Sequence, residues 1–284
     1  MKEAFPAKLL LFGEHTVLRG GRGLAVPYDR FRLRWARDDE PDDRLRNLAA
    51  ALGQLELPLQ FDRLVGELEA GWQLAGDIPL GYGLGSSGAV CAAVFDRYAL
   101  PEARNRTTAE LRTTLAQMES YFHGSSSGTD PLLAYLQQPL LLGGDGSAGV
   151  TELPEGWDSG WFLLDTGATR SGSPYIQQFL EAYERDAAAI RSGWLEPADR
   201  AIAALMTGNR GAVYRNLVTL SDFQLARFPE FIPAPFRSLW DGGATYRLKL
   251  CGAGGGGMVL GLAEEIDRTR QLLGKQAIWL ADPA

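Results

Sequence analysis

The sequence predicts an α+β fold. Short apolar runs of strand length and longer runs with helical spacing are mixed along the chain, without a regular βα alternation. Of 284 residues, 45% are hydrophobic and 22% charged, an ordinary globular make-up with length for one large domain or two medium ones. A division near residue 155 separates a segment 1–155 from a segment 156–284.

The elements follow in order. Residues 8–12 form an apolar run ending at Gly13, which suits a buried strand feeding a turn. A second strand is expected over 23–27, and a third where Phe31, Leu33 and Trp35 alternate. Residues 38–43 read as an acidic loop and 44–52 as a helix. A glycine-serine loop from Gly81 opens into an alanine-rich apolar helix. Leu111, Leu115, Met118 and Phe122 mark another helix over 108–121. A serine-glycine loop then leads to a helix starting near Asp130, and 143–149 reads as a flexible connection. Residues 161–164 begin a strand, and helices follow over 174–191 and 197–207. Tyr246, Leu248 and Leu250 alternate as a strand, and a second leaves the glycine run that follows.

A net charge of −7 argues against a broad nucleic-acid footprint, although a local basic pocket for phosphate remains compatible. Only four of the 28 basic residues are lysines, Lys2, Lys8, Lys249 and Lys275, and the histidines are His15 and His123 alone. Cys91 and Cys251 lack metal-like spacing and read as reduced structural thiols. The start resembles no signal peptide, and no stretch reaches the roughly 20 apolar residues of a membrane span. A soluble, cytoplasmic protein with no membrane or nucleic-acid partner is expected.

Two glycine loops carry the chemistry. In PLGYGLGSSGAV (79–90), glycines let the backbone approach an anion, and a helix N-terminus adds partial positive charge. The hydroxyls of Ser86 and Ser87 are available to phosphate or a metal ion. The loop is no Walker A motif, because the Gly-Lys-Ser/Thr ending is absent. Its plainer reading is a glycine-rich turn with a serine N-cap. In CGAGGGG (251–257), five glycines in seven residues exceed what a hairpin needs. The excess implies that backbone passes close to a ligand or to the other glycine loop.

Three motifs, KLLLFGEHTVLRGG, PLGYGLGSSGAV and KLCGAGGGGMVLGL, together resemble the superfamily of galactokinase, homoserine kinase, mevalonate kinase and phosphomevalonate kinase, the GHMP kinases. Within it, Gly-Glu-His near the start, ESYFHGSSSGTD and LLDTGATRSGS look most like mevalonate kinases. The resemblance implies an N-terminal domain like ribosomal protein S5 domain 2, a ferredoxin-like C-terminal domain, and a cleft between them for ATP and substrate. It implies ATP and Mg2+ as cofactors and mevalonate or a similar alcohol as acceptor. A homodimer is one assembly open to it.

Carried over by position, Gly83, Leu84, Gly85, Ser86, Ser87 and Gly88 would hold the nucleotide phosphates, supported by Gly254 and Gly255. Ser87 and Glu119 would be the magnesium ligands. Asp130 would take the acceptor hydroxyl's proton, with Lys8 beside it favouring the ionised carboxylate. Lys8, Glu14, His15, Asp130 and Arg170 would line the substrate pocket. Each residue has a plainer reading. Asp130 before Pro131 reads first as a helix N-cap followed by proline at N1, and the two roles are compatible. Glu119 reads as an exposed helix position, and Lys8 as an unusual lysine in an apolar strand. Two departures bear on the acceptor: Ala7 stands where the family has glycine, and Gly172 where it has a hydroxyl residue. Phosphomevalonate kinase, another kinase of the superfamily, and a non-catalytic nucleotide-binding relative are the competing readings.

Overall fold

β1 (Phe5–Phe12) has no polar face: Phe5, Ala7, Leu9, Leu11 and Phe12 are all fully buried, as in a strand covered on both sides. The computed structural model describes residues 1–38, 40, 42–169 and 173–282. β2 (Gly23–Arg37) is one strand of 15 residues where the sequence predicts two. Pro27, the expected end of the first, lies between the stretch paired with β4 (Leu140–Leu142) and the stretch paired with β3 (Trp72–Gly76). Neither of these two registers includes Pro27, so its missing N–H costs them no hydrogen bond. β5 (Ala148–Val150) completes a sheet of order β1-β2-β4-β5, with β3 also on β2.

The chain forms two compact units, one of residues 1–8, 26–79 and 84–138, the other of 9–25, 80–83 and 139–284. In the first, Asp42 caps α1 (Asp43–Leu52) by accepting from the amides of Arg44 and Leu45. α2 (Phe61–Glu69) and β3 were not expected from the sequence. Only Leu64 and Leu68 of α2 are buried, too few to mark a helical period. α3 (Ser86–Tyr98) is buried along nearly its whole length, and its small residues Ala89, Cys91, Ala92 and Ala93 let neighbouring helices come close. After the short α4 (Pro101–Arg104), α5 (Thr108–His123) starts with a reciprocal capping box between Thr107 and Glu110. α5 and α6 (Thr129–Leu136) both pack on α3.

In the second unit, residues 143–149 are not a flexible connection but the turn and edge of the β4–β5 hairpin. The Asp145 carboxylate accepts from the Ser147 amide at 2.9 Å, and the Gly143 amide donates to the Ser147 carbonyl. A four-stranded antiparallel sheet has β6 (Trp161–Asp165) and β8 (Met258–Ala263) at its centre, in the order β7-β8-β6-β9 with β7 (Tyr246–Leu250) and β9 (Ala277–Trp279). The helix expected over 174–191 is interrupted: α7 (Ser173–Arg185) ends before Asp186, which caps α8 (Ala187–Ile190). A π-turn over Arg191–Leu195 then leads into α9 (Glu196–Met206).

α10 (Arg210–Arg227), the longest helix described, was missed because its buried stripe includes the polar Ser221 and Gln224. Neighbours use the Ser221 main chain and the Gln224 side chain. Trp240 donates to the Ser221 carbonyl, and the Leu250 amide donates to the Gln224 side chain at 3.0 Å. α11 (Ala234–Arg237) and α12 (Ile266–Leu273) complete the unit. Cys91 and Cys251 are both buried. Among the described residues no helix is long and apolar enough to cross a membrane.

Candidate functional site

The first unit brings together Lys8 from β1, the start of α3, the end of α5 and the start of α6. Both α3 and α6 begin at a left-handed glycine, Gly85 and Gly128, which has no side chain to cap the helix, although at α6 the Ser127 hydroxyl accepts from the Thr129 amide at 3.3 Å. Neither is therefore capped by the residue the sequence offered. Ser86 and Ser87 lie inside the first turn of α3, and Asp130 lies inside that of α6. An uncapped helix N-terminus of this length leaves amides and partial positive charge for an anion.

The glycines are fixed by sterics. A Cβ on Gly85, whose φ is 72°, would stand 2.7 Å from the Lys8 side chain. A Cβ on Gly88 would stand 2.7 Å from the backbone of Asp130 and Pro131. Lys8 is anchored through its amide to the Leu84 carbonyl at 2.8 Å. Its ammonium lies 3.1 Å from Asp130 Oδ1, with side chains 10% and 31% exposed respectively. The lysine is thus enclosed, while the carboxylate keeps one side open to a reactant.

Glu119 is buried on α5, not an exposed helix position. Ser87 donates to its Oε1 at 2.9 Å, and Ser126 donates to its Oε2. Burial pushes the Glu119 carboxyl up, the negative charge of Asp130 adds to this, and the two serine hydroxyls pull it partly back. Ser87 and Glu119 fit a magnesium ion. Both supply oxygen, and two ligands about 2.1 Å from one ion at right angles stand about 3 Å apart, close to the separation seen. A cation there would also offset the cost of holding the buried carboxylate ionised.

The raised carboxyl has a measurable consequence. Between the ordinary glutamate range and the raised value, the folded state holds a proton that the unfolded chain has released, so stability falls as pH rises through that interval. Glu119→Gln removes this slope. In metal-free protein, the melting temperature of the variant minus that of the wild type should increase with pH across the interval. Magnesium-nucleotide should then stabilise the wild type and not the variant. A pH-independent difference would contradict the raised carboxyl.

The second unit holds the remaining candidates. Glu14 is buried in an ion pair with Lys249, whose ammonium also donates to the Leu250 carbonyl. His15 has a φ of 60°; its Nε2 donates to the Ala253 carbonyl at 3.0 Å and its ring stacks on Phe179 at 5.0 Å. Gly83 lies in the segment 80–83 beside Tyr82. Gly254 sits against Phe231, and the Gly255 amide donates to the Phe231 carbonyl at 2.7 Å. A Cβ on Gly257 would stand 2.5 Å from the Tyr82 carbonyl, so this glycine run does pass close to the other glycine loop. Arg170 and Gly172 lie outside the described residues.

Three residues at these positions escaped the sequence reading. His123 places Nε2 3.1 Å from Ser87 Oγ, Ser126 holds Glu119, and Lys249 holds Glu14. The scarcity of histidine and lysine was the available signal for two of them. Ser126 is one of three consecutive serines, and nothing in the sequence singles it out.

Residues 45–138 match the family model described as the GHMP kinases N terminal domain. The mevalonate kinase of Thermococcus gammatolerans is 26% identical over 194 residues, covering 52% of this chain and 58% of that protein. The match thus spans little more than half the length of the curated relative. The L. major mevalonate kinase in complex with R-mevalonate superposes with a TM-score of 0.65 at 18% identity, over 97% of this chain and 90% of that one. The Streptococcus pneumoniae phosphomevalonate kinase in complex with phosphomevalonate and AMPPNP also gives 0.65, at 17% identity, over 96% and 95%. At these identities the structural likeness is one of fold, and the α+β expectation is met over nearly the whole chain.

Proposed function

We propose, from the premise that this chain belongs to the GHMP kinase superfamily, that it is an ATP-dependent small-molecule kinase phosphorylating the primary hydroxyl of mevalonate. The observation that carries the reading is the 3.1 Å pair of Lys8 and a half-open Asp130, next to the uncapped start of α3. Phosphoryl transfer demands positioning and charge neutralisation more than covalent chemistry, and these residues supply both.

Magnesium-ATP supplies the γ-phosphoryl group and a cation that neutralises its charge. Residues 83–88 would hold the phosphates through backbone amides at the α3 N-terminus. Ser87 and Glu119 would hold the metal. Asp130 orients the acceptor hydroxyl and takes its proton at a carboxylate oxygen, and Lys8 keeps that carboxylate fixed and draws charge from the transferring group. Glu14 and His15, expected on the acceptor side, belong to the second unit, and Arg170 lies outside the described residues. The curated relatives that match in sequence are mevalonate kinases, which favours mevalonate as acceptor. The equal fold likeness to a phosphomevalonate kinase does not separate the two acceptors.

A coupled ADP-release assay with magnesium-ATP on mevalonate, phosphomevalonate, galactose and homoserine tests this. Turnover on mevalonate alone is expected. Activity on another member of the panel would move the acceptor and keep the mechanism. Silence on all four, with nucleotide binding established by calorimetry, would point to a non-catalytic relative.

A further inference from the structure

We propose that His123 is a positioning residue that fixes the Ser87 hydroxyl so that one of its lone pairs faces a divalent cation. This rests on the kinase reading above. A serine hydroxyl has one proton and two lone pairs. The Ser87 proton goes to Glu119 Oε1 at 2.9 Å, so the 3.1 Å contact to His123 Nε2 requires the ring to donate.

The other half of the network has the same polarity. The Gly128 amide donates to Ser126 Oγ at 2.9 Å, which frees the Ser126 proton for Glu119 Oε2. A backbone N–H at one end and an imidazole N–H at the other thus drive every proton towards Glu119. Each donor strengthens the next. With one lone pair of Ser87 taken by His123 and its proton by Glu119, a single lone pair is left, and its direction is set. Without the imidazole, the hydroxyl is free to turn among staggered rotamers.

His123 is the last residue of α5, and the left-handed Gly124 that follows closes the helix through its amide to the Ser120 carbonyl at 2.7 Å. The ring is therefore held at a helix end rather than on a loop. It is also exposed, so water competes for the contact and the effect is modest.

Mn2+ binding to the protein with AMPPNP, followed by electron paramagnetic resonance, reads the metal site without turnover. His123→Ala is expected to weaken Mn2+ about five-fold, the scale of one net hydrogen bond, with metal-free AMPPNP affinity unchanged. His123→Gln puts an amide donor at the reach of Nε2 and should restore binding to within about two-fold. Equal Mn2+ affinity in wild type and His123→Ala would overturn the proposal. So would a loss that His123→Gln fails to rescue while the melting temperature falls, which would make the role one of packing. A wild-type protein that takes up no Mn2+ with nucleotide would remove the kinase reading and this inference together, a pattern distinct from either.

Discussion

Asp130→Asn is expected to lower turnover by about 10²- to 10⁴-fold, the range that a positioned general base contributes, while nucleotide affinity changes little. The amide keeps the size and planarity of the carboxylate, so the first turn of α6 and its packing on α3 survive. What goes is the acceptor of the substrate proton and the counter-charge of Lys8, 3.1 Å away and nine-tenths enclosed. A cation left without its partner in such a place is costly, and some loss of stability accompanies the loss of rate. Because about a third of the Asp130 side chain is exposed, water repays part of that cost. The two effects separate experimentally: kcat from steady-state kinetics, AMPPNP affinity from calorimetry, and melting temperature from unfolding. A variant within ten-fold of wild-type turnover would take Asp130 out of the chemistry.

The pairing of Lys8 with Asp130 was within reach of the sequence, because a lysine inside an apolar strand implies a partner. The placement of Asp130 was not. Asp-Pro ahead of an apolar run reads as a cap, yet the cap is Gly128, two residues earlier, because the preceding serine loop closes through Ser126 and Ser127. Glu119 presents a similar limit. Its helix is visible in the spacing of Leu111, Leu115 and Met118, but its hydrogen-bond partner Ser87 lies 32 positions away. The pair of Glu14 and Lys249 spans 235 positions, and no local pattern reports it. α10 was hidden for the opposite reason: its buried face includes the polar Ser221 and Gln224, and periodicity in hydrophobicity is blind to a core that uses the Gln224 side chain as a hydrogen-bond partner. Local chemistry marks which residues are unusual, whereas pairing depends on which chain segments the fold brings together.

Gly88→Ala is the second large effect, and its sign runs against propensity. In a helix interior alanine is about 1 kcal/mol better than glycine, and Gly88 has no left-handed backbone to protect. The new methyl would nevertheless stand 2.7 Å from both the Asp130 carbonyl carbon and the Pro131 nitrogen, and 2.9 Å from Asp130 Cβ. These are main-chain or near-main-chain atoms of the first turn of α6, so no rotamer change relieves the contact. The helices must separate by about 1 Å, and overpacking of this kind costs about 1–3 kcal/mol. The displaced element carries Asp130, and a misplacement of that size costs on the order of 10²-fold in rate. Gly88→Ala should therefore melt several degrees lower and turn over about a hundred-fold more slowly. Gly66→Ala is the matched control: Gly66 lies in α2 with nothing within 4 Å of an added Cβ, so there the propensity gain should stand alone. If Gly88→Ala instead keeps the wild-type melting temperature and kcat, the crossing of α3 over α6 is looser than described, and the glycine at 88 needs another reason than the position of Asp130.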